Sequence, residues 1–295
     1  MRTVYLGTSA FAAGVLRALA ASPHRPALVV TRPDRPRGRG RRLAAPAVAD
    51  TARELDLELA QPENVNDEAA RAQIASVAPD AVCVCAFGAL IREPLLSDHE
   101  LLNVHPSLLP RWRGAAPVER AIMAGDTRTG ISIMRLTAGL DSGPVCLQSE
   151  LTIEPQDTYG SLAARLERLG GELLIRALDE RPDGAEQDEA GVTYAEKISA
   201  EDRLLDLSRP AAELALRVRA LSPHIGAAVM LGDERLGVWQ ARVSAASGPE
   251  PGQLSVDGEL PVLGCGDRGL ELISVQPAGK RAMSGADYLR GRRFP

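Results

Sequence analysis

Aromatic residues are scarce in this chain: three Phe, two Trp and four Tyr among 295 positions. Readers of single-stranded nucleic acid stack bases on such rings, so any contact with RNA is expected to rely on shape and phosphates. Cysteine is also sparse, at positions 83, 85, 146 and 265, with no CxxC pair and no metal-ligand spacing. That excludes a disulfide framework and a thiolate metal site, and it points to a reducing cytoplasm. Cys83 and Cys85 share one face of an apolar run, where a buried thiol acts as a small hydrophobe. No apolar run reaches the ~18 residues of a membrane span. The N-terminus superficially resembles a signal peptide, but Arg17 interrupts its apolar stretch. Thr3 to Leu6 followed by Gly7 reads instead as a first strand and its turn. That turn, Gly7-Thr8-Ser9-Ala10-Phe11, is not GxGxxG, so the dinucleotide fingerprint is absent. Its hydroxyls and amides suit either an anion or carbonyl at a helix N-terminus, or simple capping.

Lysine is nearly missing: Lys197 and Lys280 are the only two among 34 basic residues. Positive charge is therefore carried by guanidinium groups, which bind phosphate bidentately. The net charge of −5 argues against a dedicated nucleic-acid binder until its distribution is considered. Residues 1–204 hold 23 basic and 29 acidic residues, whereas 205–295 hold 11 and 10. Within the acidic part, Arg32, Arg35, Arg37, Arg39, Arg41 and Arg42 fall in one stretch of eleven residues with a single Asp. Two prolines and two glycines in that stretch predict an irregular, extended loop. An isolated basic arm on an acidic domain is suited to gripping phosphates; a solvated charged loop is the plainer alternative.

What is present is ordinary globular composition, 45% hydrophobic and 25% charged, at a length that favours two domains. Val4–Leu6, Ala27–Thr31, Ala81–Ala86 and Leu101–Val104 read as nearly continuous apolar strands. Helical stretches near 11–21, 45–56, 67–77 and 115–124 lie between or beyond them. This alternation predicts a Rossmann-like α/β domain with a parallel sheet, ligands gathering beyond the strand carboxyl ends. Leu162, Leu166, Leu169 and Leu173 give an amphipathic helix over 157–178. Breakers at Arg181-Pro182-Asp183-Gly184 open a linker. After it come a helix with Leu214, Val218 and Leu221 on one face and five short β-like runs, which predict a small OB-like β-barrel. The expected organisation is a catalytic domain over 1–180, a linker over 181–204 and a C-terminal domain over 205–295.

The chemistry concentrates after the fourth of these strands, in Asn103-Val104-His105-Pro106-Ser107-Leu108-Leu109-Pro110-Arg111-Trp112-Arg113-Gly114. Asn103 and His105, two apart on a strand, leave the same face. An amide that donates to an oxyanion beside an imidazole that accepts or returns a proton suits acyl-type transfer. Asp141, in the loop Gly139-Leu140-Asp141-Ser142-Gly143, could orient and charge that imidazole. Separately, a capping Asn, a core His and a turn Asp are equally ordinary, and spacing alone does not bring the three together.

The run from Asn103 to Pro117, with Thr129-Gly130-Ile131-Ser132-Ile133-Met134 and Leu140-Asp141-x-Gly143, resembles the folate-dependent formyltransferase family. The likeness extends to Gly7-Thr8 with Phe11, Ala86-Phe87-Gly88, the arginine-rich segment and Tyr194-Ala195-Glu196-Lys197-Ile198, so it covers nearly the whole chain. It implies formyl transfer from 10-formyltetrahydrofolate to the α-amine of initiator methionyl-tRNA, with no metal. Asn103 and His105 would stabilise the oxyanion and His105 would assist proton movement. Asp141 would orient His105 and help protonate the leaving nitrogen. Folate contacts would fall on Ser107, Leu108, Leu109 and Pro110, with Phe87, Gly88 and Leu90 near the pterin. The six arginines would meet the tRNA acceptor arm, and a monomeric cytoplasmic enzyme is expected. Two departures from the family pattern are Ser142-Gly143-Pro144 after the Asp, and Leu207 with Leu221-Ser222-Pro223-His224 where aromatics are common. Relatives that hydrolyse formyltetrahydrofolate or formylate nucleotide or amino-sugar acceptors share the Asn, His and Asp. They are not expected to combine the arginine loop with a C-terminal barrel. A non-catalytic RNA-binding protein would leave Asn103, His105 and Asp141 unexplained.

Overall fold

The structure is a computed structural model that describes residues 1–37, 40–245 and 247–291; the side chains of Arg37 and Asp257 are not among those described. Arg39, one of the six clustered arginines, therefore lies outside the described residues. The chain forms two compact units. The first comprises residues 1–114, 129–151 and 163–194, and the second 115–128, 152–162 and 195 onward.

In the first unit the strands are β1 (Thr3–Gly7), β2 (Pro26–Val30), β3 (Arg35–Arg37), β4 (Arg42–Ala44), β5 (Leu59–Ala60), β6 (Ala81–Cys85), β7 (Leu101–His105), β8 (Arg113–Gly114), β9 (Arg128–Arg135), β10 (Val145–Thr152) and β11 (Tyr194–Ala195). Seven of them form a sheet in the order β10-β9-β7-β6-β1-β2-β5. β1 is parallel to β2 and β6, and β6 to β7. Every residue of β1, β6 and β7 is buried, as expected of strands covered on both faces. Helix α1 (Ala10–Ala20) begins at Ser9, whose hydroxyl accepts from the Ala12 N–H. It turns Ala12, Val15, Leu16 and Leu19 inward at helical spacing. The first turn is thus a capped helix start, while Thr8 donates to the Phe87 carbonyl at 2.6 Å. Helices α2 (Ala47–Glu54) and α3 (Glu68–Ser76) follow in the predicted alternation, and a short helix not predicted from sequence, α4 (Leu95–Asp98), precedes β7.

Two expectations are corrected. The sheet is not wholly parallel, because β9 runs antiparallel to β7. The helix between them, α5 (Pro117–Met123), belongs to the second unit, so it cannot serve as the crossover that keeps consecutive strands parallel. The arginine-rich segment is not irregular either: β3 and β4 form a hairpin, pairing Arg35 with Ala44, Pro36 with Leu43 and Arg37 with Arg42. In a two-stranded ribbon both strands are edges, so the missing N–H of Pro36 breaks no inner ladder.

The long helix α6 (Tyr159–Glu180) is followed in the second unit by α7 (Ala211–Leu221) and the strands β12 (Ala227–Leu231), β13 (Glu234–Val243), β14 (Leu254–Asp257), β15 (Leu260–Gly264), β16 (Gly269–Pro277) and β17 (Met283–Ser284). Helix α8 (Gly285–Arg290) closes the described chain. The strands are antiparallel in the order β12-β13-β16-β15-β14, with β17 on β16. Leu214, Val218 and Leu221 of α7 pack with Val229, Val238, Leu270 and Val275 in one apolar core. Each such fully buried side chain supplies roughly 1.5–3 kcal/mol.

A charged clasp supplements this core. Arg120 of α5 binds Asp202 bidentately, at 2.8 and 2.9 Å, and the Ser199 N–H adds a third hydrogen bond at 2.8 Å. The Arg120 guanidinium, ahead of the Ser199 contacts, lowers the Asp202 carboxyl to about 2 from an ordinary 3.8. A depressed folded-state pKa contributes stability that is complete above the unfolded value and disappears as pH falls through the folded one. Asp202→Asn is therefore expected to cost on the order of 1–2 kcal/mol at pH 6, after allowance for partial exposure. The gap between variant and parent, measured by urea unfolding, should shrink between about pH 4 and pH 2. A gap unchanged by acid would contradict the assignment.

Candidate active site

Asn103 and His105 occupy the last turn-free stretch of β7, both buried. The ladder places Asn103 opposite Met134 and His105 opposite Ser132 of β9, so the two side chains emerge from one face. Asn103 makes no side-chain hydrogen bond among the described residues, so its amide N–H groups remain for a ligand. His105 is hydrogen-bonded through one ring nitrogen and faces a carboxylate with the other. Its Nε2 lies 2.8 Å from the Trp112 carbonyl oxygen, and its Nδ1 lies 3.6 Å from Asp141 Oδ2. A carbonyl can only accept, so Nε2 carries the proton and donates it. Nδ1 is left to take up a further proton, facing a carboxylate that attracts the resulting charge.

The loop after β7 explains how Trp112 comes back to His105. The Ser107 hydroxyl donates to the Arg111 carbonyl at 2.6 Å, and the Arg111 N–H donates to the Leu108 carbonyl at 3.0 Å. Ser132 receives the Leu109 N–H and donates to the Ser107 carbonyl, while Gln148 donates to both Leu109 O and Ser132 Oγ. Trp112 then sits at φ 64°, in the left-handed region, which turns the chain over His105. Its N–H donates to Thr193 Oγ1 at 2.9 Å, and the Arg111 guanidinium lies 4.4 Å from the indole centroid.

Asp141 is placed just as firmly. Its backbone has φ 45°, a region that Asp tolerates better than most residues. One carboxylate oxygen accepts the Gly114 N–H at 2.8 Å. Two residues on, a Cβ at Gly143 would stand 2.0 Å from the Arg135 carbonyl oxygen, so glycine is required for this loop to lie against β9. The structure therefore brings Asn103, His105 and Asp141 to one place, which their separate readings in sequence left undecided.

The remaining expected residues are distributed around that centre. Phe87 and Leu109 are buried, Leu90 is 64% exposed, and Gly88 at φ 72° has open space where a Cβ would project. Ser107 is buried, while Leu108 and Pro110 are half-buried in the loop already described. Of the arginines, Arg32 donates to the Gly88 carbonyl at 2.7 Å and Arg35 pairs with Glu63 at 2.5 Å. Arg41 and Arg42 are exposed, next to the 72%-exposed Leu43. Among the described residues no cluster of three His, Cys, Asp or Glu could hold a metal. None of the described helices is long and apolar enough to cross a membrane. Burial pushes the Cys83 and Cys85 thiols up to about 12, so both stay protonated inside β6.

The formyl transferase family matches residues 1–178, and its C-terminal domain matches residues 197–293. This chain belongs to the formyl transferase family. Among curated relatives, the methionyl-tRNA formyltransferase of Acidithiobacillus ferrooxidans is 45% identical, over 99% of this chain and 96% of its own. That of Methylococcus capsulatus is 42% identical over 98% and 96%. HypX from Aquifex aeolicus, solved in complex with tetrahydrofolic acid, superposes with a TM-score of 0.66 at 17% identity. The alignment covers 98% of this chain and 47% of HypX, so this formyl transferase spans about half the length of that protein, and the likeness is one of fold.

Sequence reasoning missed part of the site. Gln187, Glu189 and Thr193 lie in what reads as a linker, yet Thr193 holds Trp112 and Gln187 holds the Asp141 loop. A polar stretch such as Glu186-Gln187-Asp188-Glu189 has no periodicity to distinguish it from a solvated connector. The one available signal is Arg113, a guanidinium inside the apolar-flanked motif, which when buried requires acceptors from elsewhere.

The pinned imidazole has a direct spectroscopic consequence. In the neutral ring, nitrogen-15 NMR of His105 should show Nε2 protonated and Nδ1 bare. The opposite tautomer would contradict the hydrogen bond to Trp112.

Proposed function

We propose that this formyl transferase moves the formyl group of 10-formyltetrahydrofolate to the α-amine of initiator methionyl-tRNA, giving formylmethionyl-tRNA. The observation that carries the reading is the convergence of Asn103, His105 and Asp141 at the end of β7, in a chain over 40% identical to methionyl-tRNA formyltransferases along almost its whole length. The curated relatives that match almost the whole chain are methionyl-tRNA formyltransferases, which supports methionyl-tRNA as the acceptor.

The residues beside the site suit the folate. Exposed Leu90, buried Phe87 and the open space above Gly88 offer an apolar edge for a flat heteroaromatic ring, and the loop over Ser107–Pro110 continues directly from His105. When bound, 10-formyltetrahydrofolate supplies an activated formyl group with N10 as the leaving atom. Asn103 donates its amide N–H to the formyl oxygen as negative charge develops there, worth about 10²–10³ in rate. His105 accepts the proton of the attacking amine at Nδ1, since Nε2 is committed to Trp112. Asp141 faces the protonated ring, holding its charge and its orientation, and proton return to N10 then proceeds from this pair. Arg41 and Arg42, exposed on the hairpin, are free to meet phosphates of the acceptor arm, and Arg37 and Arg39 extend the same basic stretch in sequence. Four free thiols suit a reducing cytoplasm.

The test is to incubate the protein with 10-formyltetrahydrofolate and methionyl-initiator-tRNA and to weigh the released aminoacyl group. Formylmethionine should appear, while free methionine and an amino-sugar nucleotide remain unmodified. His105→Ala or Asp141→Asn should lower the rate roughly 10²–10⁴-fold while leaving thermal unfolding near that of the parent. Turnover near the parent value in either variant, or formylation of the small acceptors alone, would overturn the reading.

A further inference from the structure

We propose that Gln187 is a positioning residue for formyl transfer, holding the Asp141 loop in its working conformation while Arg113 fixes which way its amide points. The inference rests on the function proposed above and deepens it at the same site.

Three observations converge. First, the Gln187 side-chain nitrogen donates twice, to the Asp141 carbonyl and to the Gly143 carbonyl, each at 2.8 Å. One NH2 group thus bridges both sides of Ser142 and fixes the curvature of the loop that carries the carboxylate. Second, the amide cannot flip. Its oxygen accepts from Arg113 Nε at 3.0 Å, and a guanidinium has only donors, so the NH2 must face the two carbonyls. Arg113 is itself buried, with its Nη2 on Glu189 Oε1 at 3.0 Å. Third, the Arg113 main chain belongs to the same assembly. Its N–H donates to the Thr193 carbonyl at 2.9 Å, and the next N–H, of Gly114, binds the Asp141 carboxylate. One short stretch, Trp112-Arg113-Gly114, therefore touches His105 through a carbonyl, Asp141 through an N–H and Gln187 through a side chain. Asp141 stands at φ 45°, a conformation that a loop without these ties would leave readily.

The geometry at stake is small but sufficient. Nδ1 of His105 and Oδ2 of Asp141 are 3.6 Å apart, and both partners are set by backbone position rather than by a direct short hydrogen bond. Releasing the loop by about 1 Å would uncouple the carboxylate from the ring, a misplacement that costs up to about 10²-fold in rate. Substrate affinity would be little affected, because Gln187 is placed to touch neither the apolar folate edge nor the hairpin arginines.

The test uses the full-length protein with 10-formyltetrahydrofolate and methionyl-initiator-tRNA. Gln187→Glu keeps the shape and the acceptor for Arg113 but replaces the bridging donor with an oxygen that repels both carbonyls. Arg113→Lys keeps charge without the Nε donor that orients the amide. For each, kcat should fall roughly 10–100-fold while KM for both substrates stays within about threefold and the thermal midpoint stays close to the parent. In an Asp141→Asn background, Gln187→Glu should add little further loss, since the glutamine acts through that carboxylate. Unchanged kcat in Gln187→Glu would overturn the inference, as would a loss that adds fully to that of Asp141→Asn or that follows the thermal midpoint. Failure of the unmodified protein to form formylmethionyl-tRNA would instead overturn the function on which the inference rests.

Discussion

The proposed chemistry depends on the hydrogen bond from His105 Nε2 to the Trp112 carbonyl. It commits one ring nitrogen, exposes the other toward Asp141, and closes the loop that follows β7. A histidine at a strand end is ordinary; a histidine whose tautomer is dictated by a backbone carbonyl seven residues later is a device for receiving a proton at a chosen atom. The carbonyl is available there only because Trp112 adopts a left-handed backbone, anchored by Thr193 on one side and stacked under Arg111 on the other. The rigid parallel strands supply the base plate, and the strained loop supplies the aim.

The fold was largely legible in the residues. Continuous apolar strands such as Val4–Leu6 and Ala81–Cys85 announce a sheet covered on both faces, and the Leu214, Val218 and Leu221 stripe announces a helix against a second core. Strand direction was not legible for β9. That direction depends on which unit the intervening helix joins, and α5 shows the same amphipathic pattern whichever core it meets. The basic segment shows the converse failure. Proline and glycine in Arg32–Arg42 argue for irregularity, but two paired edge strands tolerate a proline such as Pro36.

The site was legible in kind but not in assembly. Asn103 and His105 two apart on a strand imply a shared face by geometry alone. That Asp141 faces the ring depends on the tight approach of Gly143 to β9 and on the Gly114 N–H, neither of which leaves a pattern in spacing. The segment over 185–193 was hidden for a different reason: it is tied in through the Gln187 amide, the Glu189 carboxylate and the Thr193 hydroxyl and carbonyl, and such contacts impose no hydrophobic period. Charge told a similar story at larger scale. A net −5 conceals an acidic part over 1–204, one stretch rich in arginine within it and a nearly neutral part over 205–295. The distribution is what admits a polyanionic acceptor.

If the end of β7 receives a formyl group between Asn103 and His105, a crystal structure with 5-formyltetrahydrofolate, an isomer that cannot transfer, should show it. The folate ring should lie against Phe87 and Leu90, with N10, the atom that carries the formyl group in the donor, facing the Asn103 amide and His105 Nδ1. A folate bound with N10 away from Asn103 and His105, or bound at another edge of the sheet, would contradict it.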